Sequence, residues 1–361
     1  MNNRVVIVGR KIRRLVSSAV SNDLCCCGSR TEACVPIGEN MIVGKGISDT
    51  QHPWYPSFKG RLAGCIAGAA VILFFGALGT VQAQQLEPRA YSPAPIGMNF
   101  IGVGYVYLSG GVTTDPSLEI TNLHARFNIV APFYGRTFGV LGRQASVNVV
   151  TPYASGTVHG DLQDISHSVD RSGFLDPEVR LAVNLLGGPA MSPQEFSKHT
   201  PETSLGASLT ISAPLGQYDS TKLVNIGTNR WAFKPELGLS HPIGDWAFEL
   251  YAGVWLFSDN DNYFGGQVRR QDPLEAYQAH VVYNFQAGLW ASLDYTYYTG
   301  GASTVGGKDN NDRQENTRYG VTLAVPLTSN QSLKFTWSQG ATVRIGSSFE
   351  ILGIAWQLRW F

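Results

Sequence analysis

From Met98 onward, apolar and polar side chains alternate along the chain. Leu205, Ala207, Leu209, Ile211, Ala213 and Leu215 interleave with Gly206, Ser208, Thr210 and Ser212. Tyr277, Ala279, Val281, Tyr283 and Phe285 interleave with Gln278, His280, Val282 and Asn284, and Leu333, Phe335 and Trp337 with Lys334, Thr336 and Ser338. Tyr319, Val321, Leu323, Val325 and Leu327 share one phase. A period of two puts one set of side chains on each face of a strand. Twelve segments carry this pattern: 98–108, 118–131, 143–152, 174–186, 203–215, 230–241, 245–257, 275–286, 288–298, 317–327, 331–339 and 349–361. Most run 9–14 residues, longer than the roughly five or six of soluble sheets. They suit a tilted transmembrane strand of about 9–11 residues plus its interface. No long amphipathic helix is expected after residue 84. The expected fold class is therefore all-β, an antiparallel transmembrane β-barrel of about 12 strands.

The connections add a second regularity. His241-Pro242-Ile243-Gly244, Gln286-Ala287 and Thr328-Ser329-Asn330 are short, and they alternate with long polar stretches at 216–229, 258–274 and 299–316. Outer-membrane barrels have this asymmetry, with short periplasmic turns and long external loops. An even strand number puts both ends on the periplasmic side, so residues 84–97 are expected there as an N-terminal segment. Residues 187–202 break the rule with a sixteen-residue periplasmic connection, which predicts a short helix. Tyr105, Trp231, Trp246, Tyr277, Tyr297 and Tyr319 stand near strand ends on the apolar face, where interfacial girdles want amphipathic rings. A soluble sandwich or lipocalin-like barrel would instead need a polar face rich in charge, and this one is mostly Gly, Ser, Thr, Asn and Gln.

Composition changes the picture at one place. Only 15% of the residues are charged, and 40 are Gly, against about 25% charged and 7% Gly in ordinary soluble domains. All five cysteines precede residue 84, and the part beyond it holds 18 Lys+Arg against 23 Asp+Glu. Formal net charge is zero over the whole chain, so no nucleic-acid partner is expected. The run from Leu62 to Val81 is apolar, follows Lys59 and Arg61, and ends in Val81-Gln82-Ala83. Small residues three and one before a cut describe a signal peptide cleaved between Ala83 and Gln84; an uncleaved anchor helix is the alternative. Leu62-Ala63-Gly64-Cys65 is not a lipoprotein box, because it precedes the apolar core. Residues 1–40 carry Cys25-Cys26-Cys27 with no second ligand pair at metal spacing. They read as a disordered extension or a misassigned start, with Met41 opening a more ordinary signal region, 41–83. The barrel is then 98–361.

If the apolar face meets lipid, the other phase lines the lumen. That set contains Asn122, His124, Arg126 and Asn128; Asp176, Glu178, Arg180 and Asn184; Lys234, Glu236, Glu249 and Tyr251; His280, Asp294, Arg318, Lys334 and Arg359. Charges inside a barrel must be paired or wet. The mixed signs fit either a constriction that orients a solute or an internal salt-bridge network holding the barrel round. Trp255 and Trp290 share that phase, where rings either stack on a flat organic ligand or plug the lumen by packing.

Other chemistry finds little support. There is no G-x-S-x-G nucleophile elbow, and His280 has no serine in its own strand's register. The acidic run 258–262 fails as an EF-hand, since its twelfth position is Arg270 where a bidentate Glu is needed. Gly102-Val103-Gly104 lacks the third glycine and helix of a dinucleotide turn. No enzyme activity, metal or cofactor is expected.

Gly173-Phe174-Leu175-Asp176-Pro177, Gly216-Gln217-Tyr218-Asp219 and the stretch Asn225 to Gly238, NIGTNRWAFKPELG, are similar to motifs of the meta-pathway phenol-degradation family of transporter-like proteins. Val183-Asn184-Leu185-Leu186-Gly187 and Leu86-Glu87-Pro88-Arg89-Ala90-Tyr91-Ser92 resemble that family too, the latter its mature start. The resemblance spans about 86–361 and implies a bacterial outer-membrane β-barrel. The terminal Trp360-Phe361 resembles a barrel assembly signal, although Trp356, Leu358 and Trp360 lie out of phase with Phe361. Expected partners are outer-membrane lipids, the barrel-assembly machinery and a small-molecule solute. The expected function is a porin-like channel for small molecules, aromatic ones included, by passive diffusion. A closed structural barrel and an outer-membrane hydrolase are the alternatives.

Overall fold

The computed structural model describes residues 86–361 apart from 114–119 and 163–164. The readings of residues 1–40, of the cysteine run and of the signal peptide ending at Ala83 lie outside the described residues.

The first six strands are β1 (Asn99–Thr113), β2 (Ile120–Val140), β3 (Arg143–Val150), β4 (Tyr153–Leu162), β5 (Ile165–Phe174) and β6 (Glu178–Leu186). A short helix, α1 (Pro193–Phe196), precedes β7 (Ser204–Ser212), β8 (Ala232–Ile243), β9 (Trp246–Phe257), β10 (Asn260–Tyr263) and β11 (Gln267–Gln271). The remainder are β12 (Leu274–Gln286), β13 (Leu289–Gly300), β14 (Ser303–Val305), β15 (Lys308–Asp309), β16 (Gln314–Pro326), β17 (Gln331–Val343) and β18 (Gly346–Trp360). β1 pairs antiparallel with both β2 and β18, Asn99 standing opposite Arg136 on one side and Trp360 on the other. The sheet thus closes into a barrel of twelve strands: β1, β2, β3, β6, β7, β8, β9, β12, β13, β16, β17 and β18. Closure leaves a membrane barrel no free edge to satisfy.

Each of the twelve segments expected from alternation overlies one of these strands. The phase also reads as expected along most of the wall. In β7, Ser204, Ser208, Thr210 and Ser212 are buried inside, and Leu205, Ala207, Leu209 and Ile211 face out. Leu237, Leu250, Leu293 and Leu352 are exposed on the outside, with Tyr105, Trp231, Trp246, Tyr277 and Tyr319 among them. Apolar rings and aliphatics turned outward on a closed barrel are what a bilayer accepts.

Two differences have physical causes. β2 runs on to Val140 and turns at Leu141 (φ 50°) and Gly142 (φ 76°), a two-residue connection with both positions left-handed. The hairpin β4–β5 was not foreseen. Thr157, His159, Asp161, Ser166, Ser168 and Asp170 give it little apolar face, so it carries no alternation to detect. It leaves the barrel unequal: β2 pairs with β3 over Phe133–Val140 but with β4 over Ile120–Val130. The external connections form a second sheet, β10-β11-β14-β15. α1 lies in the 187–202 connection, as its length predicts. It starts in a capping box, with the Ser192 hydroxyl accepting from the Glu195 amide and the Glu195 carboxylate accepting from the Ser192 amide.

Candidate functional site

The segment before β1 does not stay outside the barrel. Its described part, 86–98, crosses the lumen as a strap, anchored on the β2–β3 wall and on the wall from β6 to β16. Near β1, the Thr137 hydroxyl donates to the Pro95 carbonyl (2.6 Å) and the Met98 amide donates to that hydroxyl (3.0 Å). The Ala94 amide donates to Gln144 (2.8 Å). Farther across, Tyr91 lays its ring over Gly206 and Gly238, cross-strand neighbours on β7 and β8. A Cβ on either glycine would overlap the ring, so these strands need glycine there to admit it. The Ala90 amide donates to the Tyr251 hydroxyl (3.1 Å), the Arg89 amide to Glu249 (2.6 Å) and the Glu87 amide to Gln278 (3.1 Å). Leu86 ends against Gly320 of β16.

The strap brings a charge into the lumen, and the wall answers it. Glu87 lies 3.4 Å from Lys234 Nζ and 3.8 Å from Arg180 Nε. Lys234 also meets Glu236 at 3.1 Å, and Arg180 meets Glu236 at 3.8 Å. Two cations and two anions thus form a neutral quartet, all four nearly inaccessible. The Tyr91 hydroxyl donates to Glu236 (3.0 Å) beside Ser208 (2.8 Å), and the Arg180 guanidinium covers the Tyr91 ring at 4.9 Å. Buried charges survive when paired and hydrogen-bonded in this way.

The lumen residues expected from the sequence mostly stand inside. Asp176, Glu178, Arg180, Lys234, Glu236, Trp255, His280, Trp290, Asp294 and Arg318 are all buried, as are Asn184, Glu249 and Tyr251. Most of them fall into four groupings. The quartet holds Arg180, Lys234 and Glu236, with Trp255 beneath Lys234 at 5.5 Å. Nearby, His280 Nδ1 lies 2.8 Å from Asp294, whose other oxygen accepts from Thr322 (2.9 Å). Trp290 lies under the Arg89 guanidinium at 5.3 Å, while Arg318 donates to Ser338 (2.9 Å). Asp176 belongs to none of these. It accepts from the Gly216 amide (2.8 Å) and from the amide and hydroxyl of Thr228 (2.8 and 2.6 Å), fastening the external loop 213–231.

Arg126 is a correction. It is exposed, as are Asn122 and Asn128, and the inward positions of β2 are Ala125, Phe127, Ile129, Ala131 and Phe133. The assumption that polar means lumen fails here because the wall formed by β1, β2 and the start of β18 is apolar inside. Val106, Leu108, Phe127, Ile129 and Phe349 form one buried cluster, joined by Ile226 of loop 213–231. Met98, Phe100, Ala131, Phe133 and Val150 form another nearer the strap. A bulge at Thr121/His124 shifts the register above Arg126 as well. Arg359 is in the inward phase, paired with the buried Phe100, and is half-buried at the end of the barrel, where it donates to the Ser329 carbonyl of a turn (2.7 Å).

The interior is therefore two-sided: a wholly greasy wall on β1–β2 faces a wall on β6–β16 that carries the charges between two smaller apolar clusters, around Trp255 and around Trp290, with the strap between them. Sequence reasoning missed Glu87 and Tyr91, the two residues that organise the charged wall. Their signal was visible only in retrospect, as Gly206 and Gly238 in the inward phase of otherwise regular strands.

The chain matches the sequence family described as "Putative MetA-pathway of phenol degradation" over residues 109–358. Its fold is similar to that of an outer-membrane channel from Pseudomonas putida F1, at 20% identity over 76% of this chain and 100% of that one, with a TM-score of 0.64. Fainter likenesses are to the CymD monoaromatic hydrocarbon channel (11% identity, 81% and 94% of the two chains, TM-score 0.42) and to the toluene transporter TbuX of Ralstonia pickettii (11%, 80% and 96%, TM-score 0.36). No curated protein sequence matches it. The family pattern extends from the end of β1 almost to the last residue of β18, and the chain belongs to the family of the MetA pathway of phenol degradation.

Proposed function

We propose that this barrel is an outer-membrane channel for small aromatic molecules, working by passive diffusion, with the strap 86–97 as its gate. The observation that carries the reading is the two-sided lumen. A solute with a flat ring and a polar substituent can lay the ring along Phe100, Phe127 and Phe133 while its substituent meets Arg180, Lys234 or His280. Ring contact and hydrogen bonding to a fixed polar group are the two interactions such a molecule offers. The family's association with phenol degradation supports the same class, and export through the signal peptide fits that location.

The strap suits a gate because many of its anchors are hydrogen bonds from its own backbone amides to side chains. Such bonds exchange with water at a net cost of about 1 kcal/mol each. When it withdraws toward the periplasm, Arg180, Lys234, Glu236 and Glu249 remain as the polar lining. Nothing in this requires catalysis or energy coupling.

The test is solute influx into liposomes carrying the refolded barrel, with sugars, amino acids and small phenolic acids compared in the intact chain and in one lacking 86–97. Influx that favours phenolic acids, and rises when the strap is removed, is the expected result. A correctly folded, heat-modifiable barrel that stays tight without its strap would overturn the channel reading in favour of a closed structural barrel.

A further inference from the structure

We propose that the strap holds the place of a small aromatic carboxylic acid: Glu87 and Tyr91 occupy a carboxylate-and-ring site on the lumen wall that such an acid takes when the strap withdraws. The proposal rests on the channel reading and deepens it by naming the substrate class.

The ring part of the site is built into the wall. Tyr91 is 2% exposed, although it belongs to a segment outside any strand or helix. Gly206 and Gly238 stand opposite each other on β7 and β8 and form the floor beneath its ring. Tyr251 meets the ring edge-on at 5.0 Å, and the Arg180 guanidinium covers its face at 4.9 Å. Ser208 and Glu236 take the phenol hydroxyl. A glycine floor, an aromatic edge and a cation over the face suit any flat ring, and none of them requires the ring to belong to the chain.

The carboxylate part lies against the same cation. Arg180 Nε and Nη2 form the edge of a guanidinium that grips a carboxylate with two parallel bonds. Here Nε faces Glu87 and Nη2 faces Glu236, each at 3.8 Å, and among the described residues neither nitrogen has a hydrogen-bond partner. Glu87 is tethered through its own amide to Gln278, and its neighbour Arg89 through its amide to Glu249, which fixes how far the carboxylate reaches. A free carboxylate can come closer and make the bonds that Glu87 leaves unmade. Because ring and carboxylate both touch one guanidinium, a single molecule of benzoate size can present both.

Charge selects an acid over a neutral phenol. Withdrawal of Glu87 leaves Arg180 and Lys234 facing Glu236 alone, two cations against one anion. A monovalent anion restores neutrality where an unpaired buried charge is costly, and phenol brings none. Arg89 departs from a different spot, over Trp290 and against Asn284.

The test is calorimetric titration of the full chain, detergent-solubilised and heat-modifiable, with 4-hydroxybenzoate, phenol and acetate at neutral pH. In the unaltered chain the acid must displace the strap. A variant carrying Glu87→Gln and Tyr91→Ala keeps the strap's backbone and removes its anion and ring. It should bind 4-hydroxybenzoate roughly tenfold tighter or more, while phenol and acetate, each offering half of the contacts, gain less than about threefold. Adding Arg180→Gln should abolish the gain. If that double variant does not fold, Glu87→Asp keeps all four charges and draws the strap's carboxylate back by one methylene; it should give a smaller gain for 4-hydroxybenzoate and none for phenol. An equal gain for phenol, no gain for the acid, or a gain that survives Arg180→Gln would each overturn the proposal. Binding is read without flux, so a barrel that binds the acid yet passes no solute would overturn the channel and leave the site standing. One that passes phenol and is indifferent to the carboxylate would do the reverse.

Discussion

The ring of Tyr91 lies against Gly238 so closely that a single methyl group on that glycine would occupy the ring's own space. The strap and the wall are thus matched at one spot with no slack. Gly238→Ala should expel Tyr91 and loosen the strap, because overpacking of this kind is relieved by moving the less constrained partner. The expected outcome in planar bilayers is a conductance increase of roughly twofold or more, with heat-modifiability retained. Unchanged conductance would mean that the strap is not the gate. Gly206→Ala, on the facing strand, should act in the same direction.

Arg180 and Arg126 separate the inside from the outside. Arg180→Cys should react slowly with a water-soluble thiol reagent while the strap is in place, and quickly in a chain lacking 86–97. Arg126→Cys should react quickly in both, because its side chain is exposed on β2 four residues beyond Val130, the partner of the belt residue Tyr105, where the strand has left the bilayer. Fast labelling of Arg180→Cys in the intact chain would contradict the buried quartet.

The capping box of α1 gives a sign for pH. The Ser192 amide, and then its hydroxyl, hold the Glu195 carboxylate below the usual carboxylate range. A depressed value in the folded state contributes stability above the ordinary glutamate value of about 4.3, and that contribution is lost as pH falls through the depressed value. The protection of the α1 amides, measured as exchange relative to the intrinsic rate at each pH, should therefore fall on acidification through that window. Glu195→Gln should remove the dependence, while Ser192→Ala, which keeps the backbone amide, should only reduce it, at a cost of about 1 kcal/mol to the helix at neutral pH.

Phe127 tests the greasy wall. It is 1% exposed and packs among Leu108, Ile129 and Ile226. Phe127→Ala should lower thermal stability by about 3–5 kcal/mol if the cluster is packed as a core, and it should weaken the preference for phenolic acids over sugars in the influx assay. A loss of stability with no change in preference would confine Phe127 to a structural role.

Legibility in the sequence followed contrast. Where one face was apolar and the other polar, as in β7 and β12, strand, phase and burial could all be read from alternation. On β2 both faces are apolar around Phe127 to Tyr134, and the one prominent charge, Arg126, points the other way; contrast vanished and the phase was misread. The hairpin β4–β5 failed because one side is polar and the other offers only Ala154, Val158 and Val169 among glycines and polar residues. The charged wall was found because Arg180, Lys234, Glu236, His280 and Asp294 fall in regular strands. What joins them could not be found, because Glu87 and Tyr91 sit in an irregular segment with no period and reach partners far away in sequence, Gln278 being 191 residues from Glu87.

That separation has a consequence for assembly. The strap stands immediately ahead of β1, which closes the ring against β18, yet its anchors are scattered over β2, β3 and the wall from β6 to β16. Contacts so distant along the chain cannot form before the strands that carry them have gathered. Arg180, Lys234 and Glu236 must stay hydrated during insertion and lose that water only when Glu87 arrives among them. Docking of the strap is then the final act of folding, and a barrel halted just before it would already be complete in its wall and still open through its middle.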